Sequence, residues 1–148
     1  MNSPTDETEV VRRLFQEHVP EVASGAVEIL GIARDAGVRS SVAVISNELG
    51  VDTVGACVGN RGDRVKRIVK SLGGEFIDVI LWNESAERFI ANLLAPLRVV
   101  SISFDDASHQ ARVVVSHDAE LPAAGQRALQ AQLLLKLTGW DLKLIRQN

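Results

Sequence analysis

The chain repeats itself. With an offset of 66, Gly59 falls on Gly125, Arg61 on Arg127, Ile68-Val69-Lys70 on Leu134-Leu135-Lys136, and Gly73 on Gly139. With an offset of 65, Ile77, Val79 and Ile80 fall on Leu142, Leu144 and Ile145. A slip of one residue at a helix–strand turn is a change that such a turn tolerates. In a chain of 148 residues, a period this long implies two copies of one α/β unit of roughly 60–80 residues.

Hydrophobic periodicity fills in the unit. Residues 3–18 read as a helix. Ser3-Pro4 and Asp6 with Glu9 are start signals, Val10, Val11, Leu14 and Phe15 make one apolar face, and Pro20 is a stop. Strands are expected at 27–34 and 39–46, joined by the turn Asp35-Ala36-Gly37. A short helix near 53–58 has Asp52 as its cap. After Gly59-Asn60-Arg61-Gly62 comes a helix at 63–72, with an apolar stripe of Val65, Ile68, Val69 and Leu72. Gly73-Gly74 ends it, and 75–82 is a strand apolar on both faces, hence expected to be buried. A helix at 85–94, strands at 99–105 and 111–116, a helix at 126–138 and a strand at 142–146 follow. The pattern is helix-strand-strand-helix-helix-strand, twice, an α/β (α+β) chain with domains at 1–82 and 83–148. Neither linker is rich in Gly or Ser, so the domains are expected to dock as one rigid unit.

Charge separates one segment from the rest. Net charge is −3, yet residues 59–70 hold five bases (Arg61, Arg64, Lys66, Arg67, Lys70) and one acid, Asp63, leaving −7 on the remainder. A basic patch on an acidic body steers a polyanion to one place and discourages indiscriminate binding. Aromatic residues are only 4% of the chain and tyrosine is absent, so a site built mainly on stacked rings is excluded. The single cysteine, Cys57, has no internal disulfide partner and sits among small apolar residues, as a packing residue would. No apolar run is long enough to span a bilayer, and the acidic start Met1 to Glu9 is not a signal peptide. A reduced, cytoplasmic protein with no membrane association is expected.

The basic segment begins at a GxxG. Two glycines at that spacing arise by chance roughly once in a chain of this length; the context carries the information. Glycines let a nucleic-acid backbone approach closely, and the loop opens a helix whose N-terminus favours an anion. Arg61 lies in the loop. Arg64 with Arg67, and Lys66 with Lys70, can line exposed faces of the helix. Val54, Val58 and Val65 can form an aliphatic floor for unpaired bases, the mode in which single-stranded RNA is read. Asp63 is expected to cap the helix and point away from a phosphate. The candidate RNA site is therefore Gly59, Asn60, Arg61, Gly62, Arg64, Lys66, Arg67 and Lys70 over Val54, Val58 and Val65.

The second copy keeps the apolar stripe and loses the charges. Gly62 becomes Ala128, Arg64 becomes Gln130, Lys66 becomes Gln132 and Arg67 becomes Leu133. Elsewhere His18, His109 and His117 are scattered, Trp82 and Trp140 sit beside the last strand of each copy as packing residues, and Asp105-Asp106 lie in a turn. There is no Walker loop, nucleophile elbow or metal-spaced cluster, so neither an enzyme nor a cofactor is expected.

The stretches Val54-Gly55-Ala56-Cys57-Val58-Gly59, Arg64-Val65, Leu72-Gly73-Gly74-Glu75, Phe89-Ile90-Ala91-Asn92 and Leu137-Thr138-Gly139-Trp140 resemble the tandem KH region of the bacterial transcription factor NusA over about residues 10–146. The resemblance implies two type II KH domains. It also implies binding of nascent single-stranded RNA during transcription elongation, termination and antitermination. The family's polymerase-binding and S1 domains are not found in this sequence. The layout is therefore expected to be KH-only, with contact to the transcription machinery unsupported by a polymerase-binding domain. A second class of function stays open: a protein-interaction or scaffold module with vestigial RNA affinity, motivated by the overall acidity and the decayed second loop.

Overall fold

A computed structural model describes residues 6–148; the helix start signal at Ser3-Pro4 lies outside them. The chain divides into two compact units, Met1–Trp82 and Asn83–Asn148.

In the first unit, helix α1 (Asp6–His18) turns Val11 and Phe15, one helical turn apart, into the core, and both are wholly buried. Burying a phenylalanine of this kind contributes about 1.5–3 kcal/mol. Pro20 does more than stop α1. It stands in the first turn of a second short helix, α2 (Pro20–Ser24), where its fixed φ suits the helix and its missing N–H is no loss. Gly25 closes α2 with φ +87°. Strands β1 (Val27–Asp35) and β2 (Arg39–Ser46) form an antiparallel hairpin with a bulge between Ile29 and Gly31.

Strand β3 (Phe76–Leu81) lies parallel to β2, giving the order β1-β2-β3. A parallel pair cannot be joined by a tight turn. The crossover consists of α3 (Thr53–Val58), a 3₁₀ turn (Asn60–Gly62) and α4 (Asp63–Ser71). Parallel pairing of β2 and β3 therefore places the GxxG between two helices. Val27, Ile29, Ile32, Val42, Val44 and Ile77 from the sheet meet Val11, Phe15, Cys57 and Ile68 from the helices. The expected burial of β3 on both faces is not found. Ile77 and Ile80 are buried, but Phe76 is 50% and Leu81 39% exposed, because β3 is an edge strand.

The second unit repeats the plan with one omission. Helix α5 (Ala86–Leu94) is capped by Ser85, whose Oγ accepts from the Arg88 amide. Strands β4 (Val99–Asp105) and β5 (Gln110–Val115) pair antiparallel, with a bulge between Val99 and Ser101. Helix α6 (Ala124–Thr138) leads to β6 (Asp141–Arg146), parallel to β5. Where the first unit has α3, residues 116–123 are irregular. Pro122 lacks an N–H and disfavours a helical residue before it, and Asp118, which matches Asp52 at the offset of 66, accepts from the Ser116 hydroxyl with no helix directly following it. Phe89, Ile90, Leu93, Leu94, Leu129, Leu133 and Leu134 are buried. Trp140 packs on Phe104 with ring centroids 4.8 Å apart, a packing role as expected.

Candidate nucleic-acid interface

The loop is built by backbone conformations that few residues adopt. Gly59 has φ +82° and ψ 175°, a region essentially reserved for glycine. Arg61 has φ +56° and Gly62 φ +75°, both left-handed. Gly59 is also required sterically: a Cβ there would stand 2.8 Å from the Arg64 amide nitrogen and 2.6 Å from its Cγ. Gly62 has room, with the Lys66 Cε 3.6 Å from the position of a Cβ. The turn is closed by the Gly62 amide donating to the Gly59 carbonyl at 3.1 Å.

Asp52 caps α3 as expected, its Oδ1 accepting from the Gly55 amide at 3.1 Å. Asp63 does not cap α4. It is the first residue of that helix, behind a Gly62 N-cap without a side-chain bond, and its carboxylate lies against Gly59. Gly62, the N-cap of α4, has no side chain to bond the helix start; the Asp63 amide donates to the Asn60 carbonyl, so the 3₁₀ turn runs directly into α4, whose N-terminal dipole end faces the loop.

The bases divide into two kinds. Arg61, Lys66, Arg67 and Lys70 are exposed, and none makes an ion pair within the described residues. Lys66 folds back over Gly62. Arg64, expected on an exposed face, is half-buried. Its Nη1 donates to Glu21 Oε1 at 2.8 Å and to the Ala56 carbonyl at 2.7 Å. Glu21 is the residue that sequence reasoning missed. It lies 43 positions from Arg64, and no periodicity links two such positions. Val54, Val58 and Val65 are partly buried beside the loop, and Val54 and Val65 also pack on the core. The Cys57 thiol beneath them is wholly shielded. Burial, and secondarily the Glu21 carboxylate, pushes its pKa up to about 11.

The second copy of the loop is not a loop. Gly125, Gln126, Arg127 and Ala128 lie inside α6, and Gly125 has no positive φ and no atom within 4 Å of where its Cβ would stand. Among the described residues, no group of His, Cys, Asp or Glu side chains is placed to hold a metal. No helix of the described residues is long and apolar enough to cross a membrane.

A three-stranded sheet whose parallel pair is bridged by helix, glycine-bounded loop and helix is the plan of a KH module; the first unit has it whole, and the second keeps the sheet and one bridging helix, so the chain carries two KH-like units in tandem. Residues 5–82 match the NusA-like first KH domain and residues 86–148 the NusA-like second KH domain. The chain belongs to the NusA-like tandem KH family. It is 45% identical over 134 residues to the transcription termination/antitermination protein NusA of Mycobacterium tuberculosis (strain ATCC 25618 / H37Rv), covering 90% of this chain and 39% of that protein. The NusA protein of Thermus thermophilus is 42% identical over 133 residues, covering 90% and 34%. That of Bacillus subtilis is 39% identical over 133 residues, covering 90% and 36%. The chain thus spans well under half the length of these relatives. The crystal structure of APE1850 has the same fold, with a TM-score of 0.62 at 19% identity over 93% of this chain and 95% of that one.

Proposed function

We propose that the first unit binds single-stranded RNA and that the protein acts in the cytoplasm in transcription elongation, termination or antitermination. A backbone phosphate sits at Gly59 to Gly62, at the N-terminus of α4. Arg61, Lys66, Arg67 and Lys70 supply the surrounding charge. About four bases run along Val54, Val58 and Val65. The observation that carries this reading is the loop itself: two glycines and Arg61 in positive-φ backbone, with Arg61 and three further exposed cations, Lys66, Arg67 and Lys70, that make no ion pair among the described residues. The name shared by the relatives, transcription termination/antitermination protein, supports the setting. No enzymatic step enters it.

The test is fluorescence anisotropy with labelled pools of single-stranded RNA at several salt concentrations. It compares the native chain with the double variant Asn60→Asp, Arg61→Asp, which keeps both glycines. Native binding is expected to weaken with salt, with a log–log slope no steeper than about −2.8 if all four cations meet phosphates. The variant is expected to bind at least tenfold more weakly while remaining folded. Absence of native binding favours a protein-interaction role instead, a reading consistent with the helical Gly125-Gln126-Arg127-Ala128 segment of the second unit.

A further inference from the structure

Three helices of the first unit meet at one guanidinium. Arg64 belongs to the first turn of α4, Ala56 to the last turn of α3, and Glu21 to the first turn of α2. The Ala56 carbonyl is one of the four that a helix end leaves without an intrahelical partner. Arg64 Nη1 supplies that partner at 2.7 Å, and a cation at a helix C-terminus is also favourable to the helix dipole. Glu21 Oε1 holds the same nitrogen from the opposite element at 2.8 Å. The stem of Arg64 completes the arrangement, since its Cγ and amide nitrogen fill the space that a side chain on Gly59 would need. The guanidinium therefore ties the end of α3 to the start of α4 across the loop that separates them, and Glu21 keeps it there.

From this geometry we infer that Glu21 and Arg64 are positioning residues for the RNA loop, and that Arg64 does not itself neutralise an RNA phosphate. The inference rests on the RNA-binding reading of the Gly59–Gly62 loop and adds to it a control point outside the loop, on α2. It makes a counter-intuitive claim. Removing the negative charge of Glu21, close to an anion site, would by Coulomb's law alone strengthen RNA binding; loss of positioning weakens it.

Two measurements test this on the full chain. The first is RNA anisotropy against salt for Glu21→Gln, Arg64→Ala, Arg64→Lys and Arg61→Ala, each confirmed folded by thermal unfolding. Glu21→Gln and Arg64→Ala are expected to bind three- to tenfold more weakly with the native salt slope, and Arg64→Lys to recover part of the loss. Arg61→Ala is expected to flatten the slope by about 0.7, the value for one phosphate on a single strand. A Glu21→Gln variant that binds as tightly as native or tighter, or an Arg64→Ala variant whose slope flattens like that of Arg61→Ala, overturns the inference. The second measurement needs no RNA: amide hydrogen exchange over residues 59–65. Faster exchange confined to that segment in Glu21→Gln and Arg64→Ala supports positioning, and unchanged exchange overturns it. Should the native chain fail to bind RNA, the RNA reading falls by the first experiment while the second still decides what the pair does to the loop.

Discussion

Arg34 forks onto Glu75. Its Nη2 lies 3.0 Å from Oε1 and its Nε 3.1 Å from Oε2, and the carboxylate is wholly buried. The Gly37 amide donates to Oε1 at 2.9 Å and the Ser40 hydroxyl to Oε2 at 2.7 Å. Through Nη1, Arg34 also reaches the Glu7 carbonyl of α1 at 2.6 Å. One buried acid thus joins β1, the hairpin turn, β2 and the entry to β3. Removing one partner of a buried pair leaves the other uncompensated, at a cost of about 3–5 kcal/mol. Glu75→Gln is expected to lower the stability of the native chain by about 3 kcal/mol in urea unfolding, at the lower end because the amide keeps the shape.

The same carboxylate sets a pH dependence. Burial alone pushes the Glu75 carboxyl up, but hydrogen bonds from Arg34, the Gly37 amide and Ser40, together with the Arg34 charge, outweigh it and hold the group below its ordinary 4.5. A depressed folded value means that the contribution is present above the unfolded value and lost as pH falls through the folded one. Native stability is expected to hold above pH 4.5 and decline below it. Urea midpoints between pH 6 and pH 3 check this, and the decline should be shallower in Glu75→Gln.

Cys57 should be inert. A thiol raised to about 11 presents almost no thiolate at pH 8, and this one is also shielded from solvent. Labelling by a thiol reagent at pH 8 is expected to be at least about 100-fold slower in the native protein than in urea. Labelling at equal rates would show that α3 opens readily.

Gly59 and Gly125, one of the two glycine pairs that align in the repeat, should respond in opposite ways to one methyl group. In Gly59→Ala the new carbon meets the backbone of Arg64 in a conformation that alanine resists, so RNA affinity is expected to fall at least tenfold. In Gly125→Ala it meets nothing and improves a helix. Stability should then rise by about 0.5 kcal/mol in urea unfolding, with RNA binding unchanged.

Much of the fold was legible because each element's period is local. Alternation located β1 and β2, and the Val65, Ile68, Val69, Leu72 stripe located α4. Failures arose where a residue's role depends on what faces it. Pro20 carries the signal of a helix end and of a helix start alike, and only the chain beyond it chooses. Phe76 looks like core until β3 proves to be an edge. Arg64 has the spacing of an exposed base, and a carboxylate 43 positions away turns it inward. At the candidate site, the glycine frame and the four exposed cations could be read from sequence, but the device that braces the loop could not.

Helix α6 runs 15 residues without interruption, about 22 Å, through the positions where the first unit breaks its helix to make a turn. Placing a glycine at Ala128 would cost about 1 kcal/mol there and leave the helical hydrogen bonds of its neighbours in place. No turn opens until the helix is also ended before it and the segment around Pro122 is rebuilt as a capped helix. One methyl group on Gly59 is enough to collide with the backbone that shapes the first loop, whereas several coordinated changes are needed to open a loop in the second unit. The turn of the first unit is thus easy to lose, and one in the second is hard to gain.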